Sequence, residues 1–250
     1  MSETTDDTRE GSLARPAPEA PAAARPTVLI LGANSDIARA LARDYAAAGH
    51  PVMLAGRDPA RFERDRADLA VRHGVSATAH AYDALDRDPA AFFDALPETP
   101  GVVICAVGLM PEQAEAEADP DLAARVVETN FTGPALALSE AARRMAVAGG
   151  GTIIGISSVA GDRGRAKNWW YGAAKAGFTA ALSGLRQQYS RAGVRVLTVR
   201  PGFVATRMTE GMDLIPALTD EPGPLASRIR TAAEAGREGY VPWKWRLVMG

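Results

Sequence analysis

Apolar residues fall into short unbroken runs, separated by stretches in which they recur every three or four positions. Thr27–Leu31 (TVLIL) is the first run, and Ile37, Leu41 and Tyr45 then share one face of a helix that Gly49 ends. Pro51–Ala55, Ser76–Tyr82, Gly101–Ala106, Thr152–Ser157 and Val194–Val199 repeat the strand pattern. Residues 121–146 and 171–192 repeat the helical one, the latter with Ala174, Phe178, Ala181, Leu182 and Leu185 on one side. Unbroken apolar strands are buried on both faces, and parallel strands need crossover helices between them. The alternation therefore predicts an α/β fold: a single doubly wound parallel sheet flanked by helices on both faces. Composition does not shift between residues 27 and 210, so residues 27–250 are expected to form one domain. Ligands of such sheets bind beyond the carboxyl ends of the strands, which makes the strand-to-helix turns the place to look for chemistry.

Residues 1–26 hold Pro16, Pro18, Pro21 and Pro26 among alanines and mixed charges. They lack the basic start and apolar block of a secretory signal and are expected to be a disordered extension. With 47 % hydrophobic residues in 250, the chain has material for a sizeable core. Lys and Arg number 28 against 30 Asp and Glu, for a net charge of −2, which argues against a nucleic-acid partner. One cysteine, Cys105, and three scattered histidines offer no intrachain disulfide and no metal site. No apolar run reaches the 18 or so residues of a membrane span, and a cytoplasmic protein is expected.

The turn after the first strand, Gly32-Ala33-Asn34-Ser35-Asp36-Ile37-Ala38, leads straight into a helix. Gly32 permits a sharp turn, and the N–H groups of the helix start can hold a pyrophosphate. An ordinary turn capped by Asn34 or Ser35 would read the same way. The second strand ends in Gly56-Arg57. An arginine there suits a ribose 2′-phosphate and favours NADP(H), while the neighbouring Asp58 keeps NAD(H) open. Tyr171 and Lys175, four apart, share a helix face. An ammonium beside a phenol favours phenolate, so Tyr171 is expected to have a lowered pKa and to act as a general acid–base. Ser158, at the end of a strand, can bond a substrate carbonyl.

From about Thr27 to Thr206 the chain resembles the short-chain dehydrogenase/reductase family. The resemblance rests on the Gly32 turn, Asp83, Thr129-Asn130-Phe131-Thr132-Gly133, Ile156-Ser157-Ser158, Tyr171-Gly172-Ala173-Ala174-Lys175 and Arg200-Pro201-Gly202-Phe203-Val204-Ala205-Thr206, all in the family's order and spacing. It implies a Rossmann-type fold, and a ketone or secondary alcohol as substrate. Tyr171 would exchange a proton with the substrate oxygen, Ser158 would orient that oxygen, and Lys175 would hold the nicotinamide ribose. Asn130 would support a water link from Lys175. Gly32, Asn34, Ser35, Asp36 and Ile37 would line the pyrophosphate, Asp83 the adenine, and Ala106, Val107 and Gly108 the pocket floor. Pro201, Gly202, Val204 and Thr206 would position the nicotinamide and its phosphate. A homo-oligomer is implied as well.

Two departures stand out. Asp36 and Ala38 sit where the family usually has glycine; Ala38 adds only a methyl at the helix–sheet contact, whereas the Asp36 charge favours the helix dipole but repels a pyrophosphate if it points inward. Cys105-Ala106-Val107-Gly108 replaces the family's Asn-Asn-Ala-Gly and makes the floor less polar. A narrower likeness, in Ala160-Gly161-Asp162-Arg163-Gly164-Arg165, Tyr171-Gly172-Ala173-Ala174-Lys175-Ala176-Gly177, Ala106-Val107-Gly108-Leu109 and the ending from Gly239 to Gly250, is to the decaprenylphosphoryl-2-keto-pentose reductases. It implies that Arg163, Arg165 and Lys167 meet a substrate phosphate; a solvated basic loop is the alternative. Trp169 and Trp170 either wall the substrate or pack in the core or against another subunit. Trp243-Lys244-Trp245-Arg246 suits a peripheral contact with the inner face of a membrane, although a plain final strand and loop is expected. The rival reading from another class is a non-catalytic NADP-binding sensor or scaffold.

Overall fold

In the computed structural model, which describes residues 25–249, the apolar runs become strands: β1 (Val28–Leu31), β2 (Val52–Gly56), β3 (Ala77–Ala81), β4 (Val102–Cys105), β5 (Gly151–Ile156) and β6 (Val194–Val199). A short seventh, β7 (Gly239–Tyr240), joins them. All pair in parallel, in the order β3-β2-β1-β4-β5-β6-β7. The chain thus walks outward from β1 to β3, then crosses back to lay β4 on the other side of β1. The crevice above the ends of β1 and β4 is the switch point at which such sheets bind ligands.

Helices cover both faces. α1 (Asp36–Ala47), α2 (Glu63–His73), α3 (Pro89–Asp94), α4 (Gln113–Ala118), α5 (Pro120–Val127), α6 (Gly133–Val147), α7 (Trp169–Tyr189), α8 (Pro222–Glu234) and α9 (Trp243–Met249) follow in chain order. Strand periodicity divides the core in two. Val28 and Ile30 point toward Leu41, Tyr45, Leu69, Leu225 and Ile229 of α1, α2 and α8. Leu29 and Leu31 point the other way, toward Phe93, Leu138, Phe178 and Leu182 of α3, α6 and α7. Each such fully buried side chain contributes about 1.5–3 kcal/mol relative to exposure.

Two expectations are corrected. The helix expected over residues 121–146 is interrupted: Glu128–Thr132 forms a π turn between α5 and α6. The tail is not a plain strand and loop, because β7 is followed by the helix α9. The expected extension over residues 1–26 lies, up to residue 24, outside the described residues. Pro26 is held by His50, whose Nδ1 lies 2.8 Å from the Pro26 carbonyl oxygen. No described helix is long and apolar enough to cross a membrane, and the described residues hold no metal-binding cluster.

Candidate active site

The first strand-to-helix turn is built on Gly32, with φ +82°. A Cβ at Gly32 would stand 2.9 Å from the Val107 nitrogen, so both the left-handed backbone and the close approach of the β4 turn require glycine. Ser35 caps α1, its hydroxyl accepting from the Ala38 N–H at 3.0 Å. Asp36 follows in the first helical turn. Its carboxylate is engaged across the cleft by Arg207, whose backbone N–H lies at 2.8 Å and Nε at 3.1 Å. Arg207 also donates to the Asn34 carbonyl.

Ser158 and Tyr171 meet because two backbones touch. A Cβ on Gly172 would fall 2.7 Å from the Ala160 carbonyl oxygen, so α7 lies directly on the turn Val159–Gly161 that follows Ser158. Next to it, the Ser157 hydroxyl bridges the Lys175 carbonyl (3.0 Å) and the Thr179 hydroxyl (2.7 Å), fixing the end of β5 to the same helix. The Ser158 hydroxyl accepts from the Ala160 N–H at 3.1 Å and is bonded to the Tyr171 phenol. Lys175, buried below Tyr171, donates to the carbonyls of Ile156 (3.1 Å) and Val107 (3.2 Å). Two of its three N–H bonds are thereby used inside the protein.

The electrostatics correct one expectation. Burial pushes the Tyr171 phenol up to about 12, and the Ser158 hydrogen bond offsets this only in part. Burial also brings the Lys175 ammonium down to about 8. The expected lowering of Tyr171 fails because Nζ points at the two carbonyls and sits 5.7 Å from the centre of the phenol ring.

Asn130 reaches the site through the π turn. Fully buried, its amide donates to the carbonyls of Leu109 (2.7 Å) and Val126 (2.8 Å) and accepts from the Leu109 N–H (3.2 Å). It braces the turn after β4 from behind. The other expected residues, from Gly32 to Thr206, line one cleft of about 710 Å³, within the usual range for ligand sites. Arg57 faces it, whereas the Asp58 carboxylate caps its own turn through the Ala60 N–H at 3.1 Å. Asp83 lies on the same wall, its carboxylate accepting from the Leu85 N–H at 3.0 Å. The neighbouring Tyr82 presents a buried hydroxyl without a hydrogen-bond partner among the described residues. An elongated, phosphate-bearing dinucleotide fits this donor set: a turn with no room for a Cβ, a capped helix start, an arginine at the second strand and a buried lysine beside the turn after β4.

Other placements differ from the sequence reading. Arg165 and Lys167 line the cleft and Arg163 does not. Trp169 and Trp170 stack on each other at 4.4 Å and bond to Glu117 and Gln113 of α4. They are absent from the cleft lining. Trp245 is turned inward from the tail: its indole donates to the Leu218 carbonyl at 2.9 Å and meets Phe203 edge-on. A Cβ on Gly202 would fall 1.8 Å from that indole. Trp245, Arg125, Phe203 and Arg207 therefore form walls that strand and helix periodicity gave no reason to bring together. The signal for Trp245 in the sequence is the amphipathic pattern Trp243-Lys244-Trp245-Arg246.

A family model described as short chain dehydrogenase matches residues 26–214. The chain is 34 % identical over 223 residues to an uncharacterized oxidoreductase of Mycobacterium tuberculosis, covering 88 % of this chain and 89 % of that one. It is also 34 % identical over 193 residues to the cis-4-hydroxycyclohexanecarboxylate dehydrogenase of Sinomonas cyclohexanicum, covering 74 % and 75 %. Among solved structures, a short-chain dehydrogenase from Sphingobium yanoikuyae in complex with NADPH is similar with a TM-score of 0.80 and 26 % identity, covering 90 % of this chain and 92 % of that one.

Proposed function

The chain belongs to the short-chain dehydrogenase family, a family of oxidoreductases, and we propose that it uses NADP(H) to interconvert a ketone and a secondary alcohol. The observation that carries this is that Ser158, Tyr171 and Lys175 line the same cleft as the Gly32 turn. The nicotinamide dinucleotide supplies the hydride. The Ser158 hydroxyl and the Tyr171 phenol converge on the substrate oxygen. In reduction Tyr171 donates its proton to that oxygen as the carbonyl carbon is reduced; in oxidation it accepts the proton back. Lys175 would hold the nicotinamide ribose with the N–H not committed to Val107 and Ile156. Arg57 on the cleft, with Asp58 occupied by its own turn, supports the phosphorylated cofactor, as does the NADPH bound by the similar Sphingobium protein.

Arg125, Arg165 and Lys167 add three cations to the cleft wall, which favours a substrate carrying an anionic group. A polyprenyl-phosphate-linked 2-keto-pentose is one such substrate. A hydroxy acid is another, and the Sinomonas relative is named for one. A peripheral membrane contact would rest on Trp243 and Arg246, since Trp245 faces inward. Assembly into a homo-oligomer is a separate proposal, read from light scattering.

The test is Tyr171→Phe. Cofactor affinity, followed by nicotinamide fluorescence, is expected to stay within a few-fold of the parent while turnover falls about 10²–10⁴-fold. Turnover near the parent's would overturn the assignment and favour a binding protein without catalysis.

A further inference from the structure

The Asp36–Arg207 pair spans the cleft where the proposed cofactor's diphosphate would lie, and its chemistry is uneven. Asp36 stands in the first turn of α1, directly after the capping Ser35. An unmasked carboxylate there would oppose any phosphate drawn to the same helix end. Arg207 comes from the segment after β6, one residue beyond Thr206. It meets Asp36 with its backbone N–H and its Nε, and meets Asn34 with Nη2. The carboxylate side chain is 25 % exposed and the guanidinium 60 % exposed, so the arginine is the more open partner, and it lines the cleft. A guanidinium has five N–H donors in a planar fork and binds phosphate oxygens well while keeping another partner.

We propose that Arg207 is a diphosphate-binding residue: it neutralises Asp36 and presents its remaining N–H donors to the phosphate bridge of the dinucleotide. This rests on the cofactor reading above. The carboxylate that departs from the family's pattern is thereby tolerated in a phosphate site. A contact bridging the Gly32 turn and the segment after β6 would close over the phosphates from both sides.

A thermodynamic cycle on cofactor affinity tests it, with NADPH titrated into the purified full-length protein and nicotinamide fluorescence as the readout. Arg207→Ala is expected to weaken binding at least 10-fold, because it removes a phosphate donor and exposes Asp36. Asp36→Ala is expected to leave affinity equal or tighter, because Arg207 is then free for the phosphates. The double variant is expected to bind more tightly than Arg207→Ala alone. Thermal unfolding without cofactor separates affinity from folding, since loss of a mutual strut lowers both single variants alike. Equal weakening by both single variants, with no recovery in the double, would overturn the proposal and leave the pair a strut. Unchanged affinity in Arg207→Ala would overturn it too. A parent protein that binds neither NADPH nor NADH would instead overturn the cofactor reading, and the inference with it.

Discussion

Asn130 and Leu109 exchange a reciprocal pair of hydrogen bonds, side-chain amide to backbone, at 2.7 and 3.2 Å. The exchange gives the turn after β4 the pairing that a further strand residue would have supplied. Val107, whose carbonyl receives Lys175, lies on that turn. Asn130→Ala and Asn130→Leu are both expected to destabilise the protein, by about 1–3 kcal/mol for each backbone group left unpaired. Urea unfolding checks this. Rescue by leucine, which restores volume without hydrogen bonds, would show that packing rather than bonding is what Asn130 contributes.

Lys175 predicts a pH dependence with a definite sign. Its folded pKa of about 8 lies below the ordinary value of 10.5. Across that window the unfolded chain binds more protons, so this residue's share of stability rises with pH. Below pH 8 the cost of the buried charge is fully present. Lys175→Met removes that cost. Because the variant also leaves the Val107 and Ile156 carbonyls without their donor, the expected outcome is in the slope: the parent gains stability relative to the variant, on the order of a few kcal/mol, as pH rises from about 8 toward 10.5. Unfolding curves of both proteins at several pH values read the difference directly, free of the opposing contribution of Tyr171.

Arg57→Ala is expected to weaken NADPH by about 10-fold or more, the scale of a charge-assisted bond to phosphate, and to change NADH little. Parallel fluorescence titrations measure both. An equal loss for the two cofactors would place Arg57 elsewhere than at a 2′-phosphate.

Trp245 joins the tail to the site, packed on Gly202 and bonded to Leu218. Trp245→Ala is expected to cost about 3–5 kcal/mol, as for other large buried aromatics, and to raise KM more than it lowers kcat. Trp245→Phe retains most of the packing without the indole bond and is expected to fall between. Thermal melts and steady-state kinetics on the two variants check this. An unchanged KM would confine Trp245 to holding α9.

The strands were legible because parallel strands buried on both faces must be apolar throughout, and Val28–Leu31 and Val102–Cys105 admit little else. The cleft residues were legible where backbone geometry fixes residue type, as at Gly32, and where helical spacing forces a shared face, as for Tyr171 and Lys175. Local pattern was silent where chain-distant segments meet. Arg207 reaches Asp36 across 171 positions, and Trp245 reaches Leu218 across 27. The phenol's environment escapes the sequence for a related reason. Four-residue spacing places Lys175 on the correct face but says nothing of the Ile156 and Val107 carbonyls that claim its ammonium.

The π turn at Glu128–Thr132 also acts as a phase shifter. Each residue of a regular helix advances the side chain by about 100°, and one extra residue rotates everything beyond it by that amount. α5 can therefore aim Ala123 and Val126 inward where it packs against α4 and α7, while α6 turns Leu138, Ala141 and Met145 onto β4 and β5. Deleting one residue from that turn would keep the segment helical. It would also put its two halves out of step, so that only one could keep its buried face.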